Sequence, residues 1–207
     1  WGGNAVRAAA AAALAAWQNE DRPASGGGWW AAPPTTPLLA DREANMNFAS
    51  YADGAHAVEV EVDIETGEIE LLRVVAAHDP GQAVNPQQVR GQLYGGLVQA
   101  LGWTLTENFI TRDGHIMTDR LSTYLIPTIR DVTAPVEYVI LERPDDAGAY
   151  GVRGVGEISM ILPAPAIVAA VHAATGVWFD SLPLTPEAVV MGLSAAGETA
   201  GERAGLA

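Results

Sequence analysis

A chain of 207 residues, 49% of them apolar, is long enough to bury a core as one good-sized domain or two small ones. Its 25 acidic against 11 basic residues leave a formal net charge of −14, and no cluster of Lys and Arg interrupts it, which argues against binding to nucleic acid or to an anionic membrane. Cysteine is absent, so the chain carries no disulfide, no thiolate nucleophile and no cysteine-held iron–sulfur cluster; any electron relay has to sit on another chain.

The chain opens on Gly3-Asn4-Ala5-Val6 and alanines up to Trp17, a run that predicts a helix because Ala has the best helix propensity, with Asn4 as its N-cap. Its Ala8 to Ala16 stretch, the longest apolar run, is too short to span a bilayer and holds one large apolar residue, Leu14. The opening lacks the basic start and hydrophobic middle of a signal peptide, Trp1 is no initiator, and the expected address is the cytoplasm. From Asn19 the composition turns to Gly, Pro, Ser and Thr, with Gly26-Gly27-Gly28 and Pro33-Pro34-Thr35-Thr36-Pro37, so residues 19–50 are expected to be an irregular, partly extended connector.

Val58, Val60, Val62 and Ile64 alternate with Glu59, Glu61, Asp63 and Glu65, the pattern of a strand with one wet face. Glu65-Thr66-Gly67-Glu68 then turns the chain into Ile69 to Ala77, which predicts a hairpin with Gly67 at positive φ. Asn85-Pro86 opens a helix whose Val89, Leu93, Leu97, Leu101 and Leu105 form one apolar stripe. Gly91, Gly95 and Gly96 each weaken that helix by up to about 1 kcal/mol relative to Ala, so they are expected where another backbone or a ligand comes close. A second hairpin about Asp113-Gly114, a strand over Val136 to Glu142, a helix over Pro165 to Thr175 stopped by Gly176, and a short last helix from Thr185-Pro186-Glu187 follow. Residues 121–135 are expected to be mostly connector and 195–207 a frayed tail; no internal repeat is visible.

Gly151-Val152-Arg153-Gly154-Val155-Gly156-Glu157 is the most informative stretch, because three glycines strip side chains from a loop and leave one carboxylate on it. Two readings stand: a tight turn with an exposed Glu, or a carboxylate in a close-fitting site where apolar Ile158, Met160, Ile161 and Leu162 raise its basicity. A nucleotide fold is rejected, because Gly-x-x-Gly-x-Gly has the wrong order and Pro163 and Pro165 delay the helix. His56, His78, His115 and His172 stand too far apart for a metal site, His172 suits a helix C-terminus, and His78-Asp79 is either an orienting pair or a hydrogen-bonded turn. No Ser-His-Asp set with its nucleophile elbow occurs.

Four blocks, in this order, resemble the second molybdopterin-binding region of the molybdenum hydroxylases, the family of xanthine dehydrogenase, aldehyde oxidase and aerobic carbon monoxide dehydrogenase. They are Gly3 to Val6, Pro33 to Pro37, VVAAHDPGQAVNPQQVRGQLYGGLVQALG over 74–102, and GVRGVGEISMILPAPAIVAAVHAATGVWFDSLPLTPEAVV over 151–190. The resemblance implies an α+β fold, the C-terminal molybdopterin-binding domain of the xanthine dehydrogenase type, with mixed sheets and hairpins packed with helices. Residues 1–18 would be a helix of the interrupted molybdopterin-binding region, 19–50 the connector, 51–194 the catalytic domain and 195–207 the tail.

The resemblance also implies roles. Glu157 matches the base that deprotonates a hydroxyl on molybdenum during attack on an electron-poor carbon, and Gln92 matches a glutamine that hydrogen-bonds the molybdenum ligands. Gly91 and Gly156 would let the cofactor approach, and Asn4 would lie near its pterin and phosphate end, where helix N–H groups suit an anion. The implied cofactor is molybdenum–molybdopterin in the cytosine dinucleotide form; the implied partners are an upstream molybdopterin-binding half, an iron–sulfur subunit with 2Fe–2S clusters and an FAD subunit. The family's large subunit starts several hundred residues earlier, so the chain is expected to be a split subunit or a fragment, inactive alone. Its likeness to bacterial xanthine and nicotinate dehydrogenase subunits points to an N-heterocycle as substrate; an aldehyde or carbon monoxide, or a non-catalytic assembly module, are the alternatives.

Overall fold

The computed structural model describes residues 1–19, 22–36, 47–128 and 130–205, with side chains described up to residue 197 apart from those gaps. Parts of the expected connector, including Pro37, and the last two residues of the expected tail lie outside the described residues. The chain divides into two compact units: Trp1–Asp53, Asp79–Pro86 and Ile140–Gly154 form the first, and Gly54–His78, Gln87–Val139 and Val155–Ala207 the second.

In the first unit helix α1 spans Gly2–Gln18. Its alanines let the glycine-rich segment lie directly on the helix: a Cβ at Gly26 or Gly28 would strike backbone atoms of residues 5–13. Trp1 is the residue that precedes the first turn, and no side chain caps it, so Asn4 is not the N-cap. The two glycines before it adopt helical geometry, and its side chain is used elsewhere: Nδ2 donates to the Ala147 carbonyl at 2.9 Å. The unit is pinned by Arg153, whose guanidinium meets Asp79 and Asp53 at 3.3 Å and Asp145 at 3.6 Å. Buried Asp79 also accepts the backbone N–H groups of Gly81 and Arg143, so the hydrogen-bonded turn is the correct reading of this aspartate. The Ser50 hydroxyl, then neighbouring backbone donors and Arg153, hold the Asp145 carboxyl below the usual carboxylate range.

The second unit is built on a three-stranded sheet, in the order β1 (Asp53–Val62), β2 (Ile69–Asp79), β5 (Val136–Ile140). Val58, Val60 and Val62 turn inward while Glu59 and Glu61 stay exposed, as the alternation requires. Ile64 breaks the pattern and is 69% exposed, because Asp63 ends the strand. Its carboxylate accepts the N–H groups of Glu65 and Thr66, with the Thr66 bond weighing more, which draws that carboxyl below its ordinary range and shapes a turn through Gly67 (φ 78°). Helix α2 (Pro86–Leu101) buries Val89, Leu93, Leu97 and Leu101 and runs into a π-helical turn over Gly102–Thr106, which carries Leu105 on against the core. Strands β3 (Thr111–Arg112) and β4 (His115–Ile116) make the small antiparallel hairpin about Asp113-Gly114.

Helix α3 (Pro163–Thr175) begins two residues before its expected start, with Pro163 itself in the first turn, and closes on Gly176. Helix α4 (Pro186–Gly205) opens where Thr185 Oγ1 accepts the Ala188 N–H, and it continues to Gly205 rather than fraying after Ser194, since the small residues there include helix-favouring alanines and glutamates. Ile167, Val171, Leu184 and Val189 meet Val74, Leu97 and Leu101 in one core. Among the described residues one helical window, Ile158–Thr175, is long and apolar enough by length and composition to cross a membrane, although Ile167 and Val171 within it are fully buried core residues.

Candidate active site

Residues 92, 96 and 99 of α2 stand at i, i+4 and i+7, which puts Gln92, Gly96 and Gln99 on one stripe beside the buried one. The segment that follows Val155 lies along this stripe. Gln92 Nε2 donates to the Gly156 carbonyl at 3.1 Å, and Gln99 Nε2 reaches Glu157 Oε1 at 3.3 Å. Between them, a short 3-10 turn over Ile158–Met160 drives fully buried Ser159 against Gly96, and the Ser159 hydroxyl donates to the Gln92 carbonyl at 3.3 Å. A Cβ at Gly96 would overlap Ser159 Oγ and stand 3.1 Å from Met160 N, so this glycine exists for the close approach of the loop.

The structure therefore brings Gln92, Gly156 and Glu157 together, and it adds Gln99 and Ser159, which sequence reasoning missed. The signal was present: Gln92 and Gln99 are seven residues apart around a glycine. Glu157 itself is exposed. The apolar enclosure expected from Ile158, Met160, Ile161 and Leu162 does not form among the described residues: Ile161 is 71% exposed, and Ile158, Met160 and Leu162 are only half-buried. The 3-10 turn explains the difference, because it spends its inward position on Ser159 and leaves Glu157 at the outer edge. Gly91 and Gly156 are exposed, and among the described residues nothing beyond the adjoining chain lies within 4 Å of where their Cβ atoms would stand, as is also true of Gly95. Asn4 belongs to the first unit, on α1.

The histidines hold a second surprise. His56 on β1 and His78 on β2 meet edge to face with their Nε2 atoms 2.6 Å apart, while both Nδ1 atoms are buried without a partner. Burial, then the His78 charge, lowers the pKa of His56 to about 4, and burial lowers that of His78. A spacing of 22 residues conceals this pair; only the hairpin brings it together. Among the described residues no group of three His, Cys, Asp or Glu is placed to hold a metal ion. The unfolded chain binds protons on these imidazoles near pH 6.5 and the folded chain does not, so their contribution to stability is present above that pH and is lost as the pH falls toward 4. Discounted for partial exposure, the loss is about 1–2 kcal/mol. Hydrogen exchange of the β1 and β2 amides, corrected for intrinsic rates, is expected to show protection falling across that window, and His56→Gln to remove most of the dependence; flat protection from about pH 7 to 4 would refute it.

An open, glycine-lined surface with a neutral amide and a carboxylate at its edge suits a bulky polar cofactor. Gln92 uses one N–H on Gly156 and has a second to offer, and the bare backbone at Gly91, Gly95 and Gly156 leaves room for approach. The sequence matches the family described as the molybdopterin cofactor-binding domain over residues 3–133. It is 43% identical over 147 residues to a probable xanthine dehydrogenase subunit of Bacillus subtilis, covering 71% of this chain and 20% of that protein. It is 33% identical over 155 residues to the gamma subunit of the 6-hydroxypseudooxynicotine dehydrogenase complex of Paenarthrobacter nicotinovorans, covering 73% of this chain and 20% of that one. The aldehyde oxidoreductase structure from Desulfovibrio gigas superposes with a TM-score of 0.75 at 31% identity, covering 86% of this chain and 19% of that one. The chain thus spans about a fifth of the length of these relatives. It has the molybdopterin-binding α+β fold of the molybdenum hydroxylases, and it belongs to their molybdopterin cofactor-binding family.

Proposed function

We propose that this chain is the molybdopterin-binding part of a molybdenum hydroxylase that hydroxylates an electron-poor carbon, with Glu157 as its base and an N-heterocycle such as a purine or nicotinate as substrate. The observation that carries the reading is the placement of Glu157: an ionisable side chain on a loop gripped by α2, beside bare backbone, in a chain of this family. When bound, the molybdenum–pterin group supplies the two-electron acceptor and activates water-derived oxygen. With that group bound, Glu157 would serve as the proton acceptor, a role a carboxylate performs well only when held at hydrogen-bond reach. Gln92 offers its second N–H to the cofactor without adding charge, and Gly91 and Gly156 leave the space it needs.

The proposal includes the cytosine dinucleotide form of the cofactor, an upstream half that completes the site, and 2Fe–2S and FAD subunits, since this chain has no cysteine to hold a cluster. The substrate class rests on relatives named as xanthine and 6-hydroxypseudooxynicotine dehydrogenase subunits. The wider structural coverage by an aldehyde oxidoreductase favours an aldehyde as the second reading. The test is to purify the assembly that contains this chain, measure molybdenum and released nucleotide, and assay hypoxanthine, nicotinate and benzaldehyde. Stoichiometric molybdenum with turnover of a heterocycle is expected. Turnover of benzaldehyde alone selects the second reading, and a well-assembled particle without molybdenum or pterin makes the chain an assembly module.

A further inference from the structure

We infer that Gln99 is the positioning residue of Glu157: its side-chain amide holds the carboxylate at the height on α2 where the base has to work. The inference rests on the proposed role of Glu157. Three contacts carry it, and all of them come from one stripe of one helix. Gln92 holds the loop backbone through the Gly156 carbonyl, Gly96 admits Ser159, and Gln99 alone of the three touches the carboxylate, at 3.3 Å. Residues seven apart on a helix are separated by about 10 Å along its axis with little rotation, so the two amides grip the segment at both ends. The backbone is thus fixed without Gln99, through Gln92 and the buried Ser159, and what Gln99 adds is the direction of one side chain.

The chemistry suits this division. An N–H donor to one carboxylate oxygen leaves the other free to accept a proton, and it limits the rotamers of a side chain that is otherwise exposed. A base that wanders by an ångström loses much of its effect, because proton transfer needs hydrogen-bond distance and alignment. Glutamine also achieves this without a charge. A lysine in its place would tie the carboxylate up in an ion pair, and a glutamate would repel it.

The test uses the complete assembly with its cofactor and four forms of this chain: unaltered, Gln99→Met, Glu157→Gln and the double variant. Met keeps the length and helix propensity of Gln and removes the donor. With whichever of hypoxanthine, nicotinate or benzaldehyde is turned over fastest, Gln99→Met is expected to lower kcat about tenfold with KM within about twofold and molybdenum content unchanged. In the Glu157→Gln background the same substitution is expected to do nothing more, since it acts through the carboxylate. The crystal structure of the Gln99→Met assembly supplies a readout independent of turnover: the Gly156–Ser159 backbone stays and the Glu157 side chain leaves its position. Unchanged kcat, an equal loss in both backgrounds, or a Glu157 side chain that does not move overturns the inference. If the unaltered assembly turns over none of the three substrates, the proposed function fails, and the crystallographic comparison still decides for or against Gln99.

Discussion

Replacing Glu157 by Gln is expected to lower turnover by about two or more orders of magnitude while the assembly keeps its molybdenum, the scale on which loss of a general base is felt. The substitution is nearly isosteric and removes the ability to accept a proton. Its structural effect is small because Glu157 is exposed, its side chain is hydrogen-bonded among the described residues to Gln99, and the loop backbone is held by Gln92 and Ser159. A loss in kcat with molybdenum content and hydrogen-exchange protection unchanged therefore reports on chemistry. Turnover within a few fold of the unaltered protein would remove Glu157 from the mechanism.

Gly96→Ala is expected to go against helix propensity. In an exposed helix interior, Gly to Ala is worth up to about 1 kcal/mol of added stability. At position 96 the new methyl overlaps the buried Ser159 hydroxyl and presses on the backbone at Met160, and overpacking of that kind costs about 1–3 kcal/mol. The steric term wins, so protection of the α2 amides against hydrogen exchange falls, and turnover falls with it by about tenfold as the loop lifts away from Gln92 and Gln99. Two controls separate the causes. Gly95→Ala, where a Cβ meets nothing within 4 Å, raises α2 protection, and Ser159→Gly restores much of what Gly96→Ala loses. Equal effects at 95 and 96 would show that the glycines matter only through helix propensity.

Most of the second unit could be read from local pattern. Period-2 valines located β1, a four-residue leucine stripe located α2, and Gly176 located the end of α3, because each reports burial or backbone geometry that one segment sets alone. What local pattern could not show depends on contacts distant in sequence. The His56–His78 pair needs the hairpin, the Gln99–Glu157 contact joins residues 58 apart, and the close fit of Gly96 to Ser159 is visible only once the loop lies on the helix. Asn4 was misplaced because capping preference ranks residue types and says nothing of a competing partner such as the Ala147 carbonyl. For Glu157, the apolar residues around it in sequence suggested enclosure, yet a 3-10 turn distributes neighbours to different sides, and Ile161 went outward. Among the described residues Glu157 stays exposed, and these 207 residues span about a fifth of the related proteins.

The decisive measurement is a crystal structure of the complete assembly with molybdenum and a slow substrate bound. The expected result is that Glu157 faces the substrate's reacting carbon at the molybdenum centre, within hydrogen-bond reach of the oxygen to be transferred and with Gln99 still donating to it. A Glu157 side chain in bulk solvent, with another residue occupying that place, would contradict it.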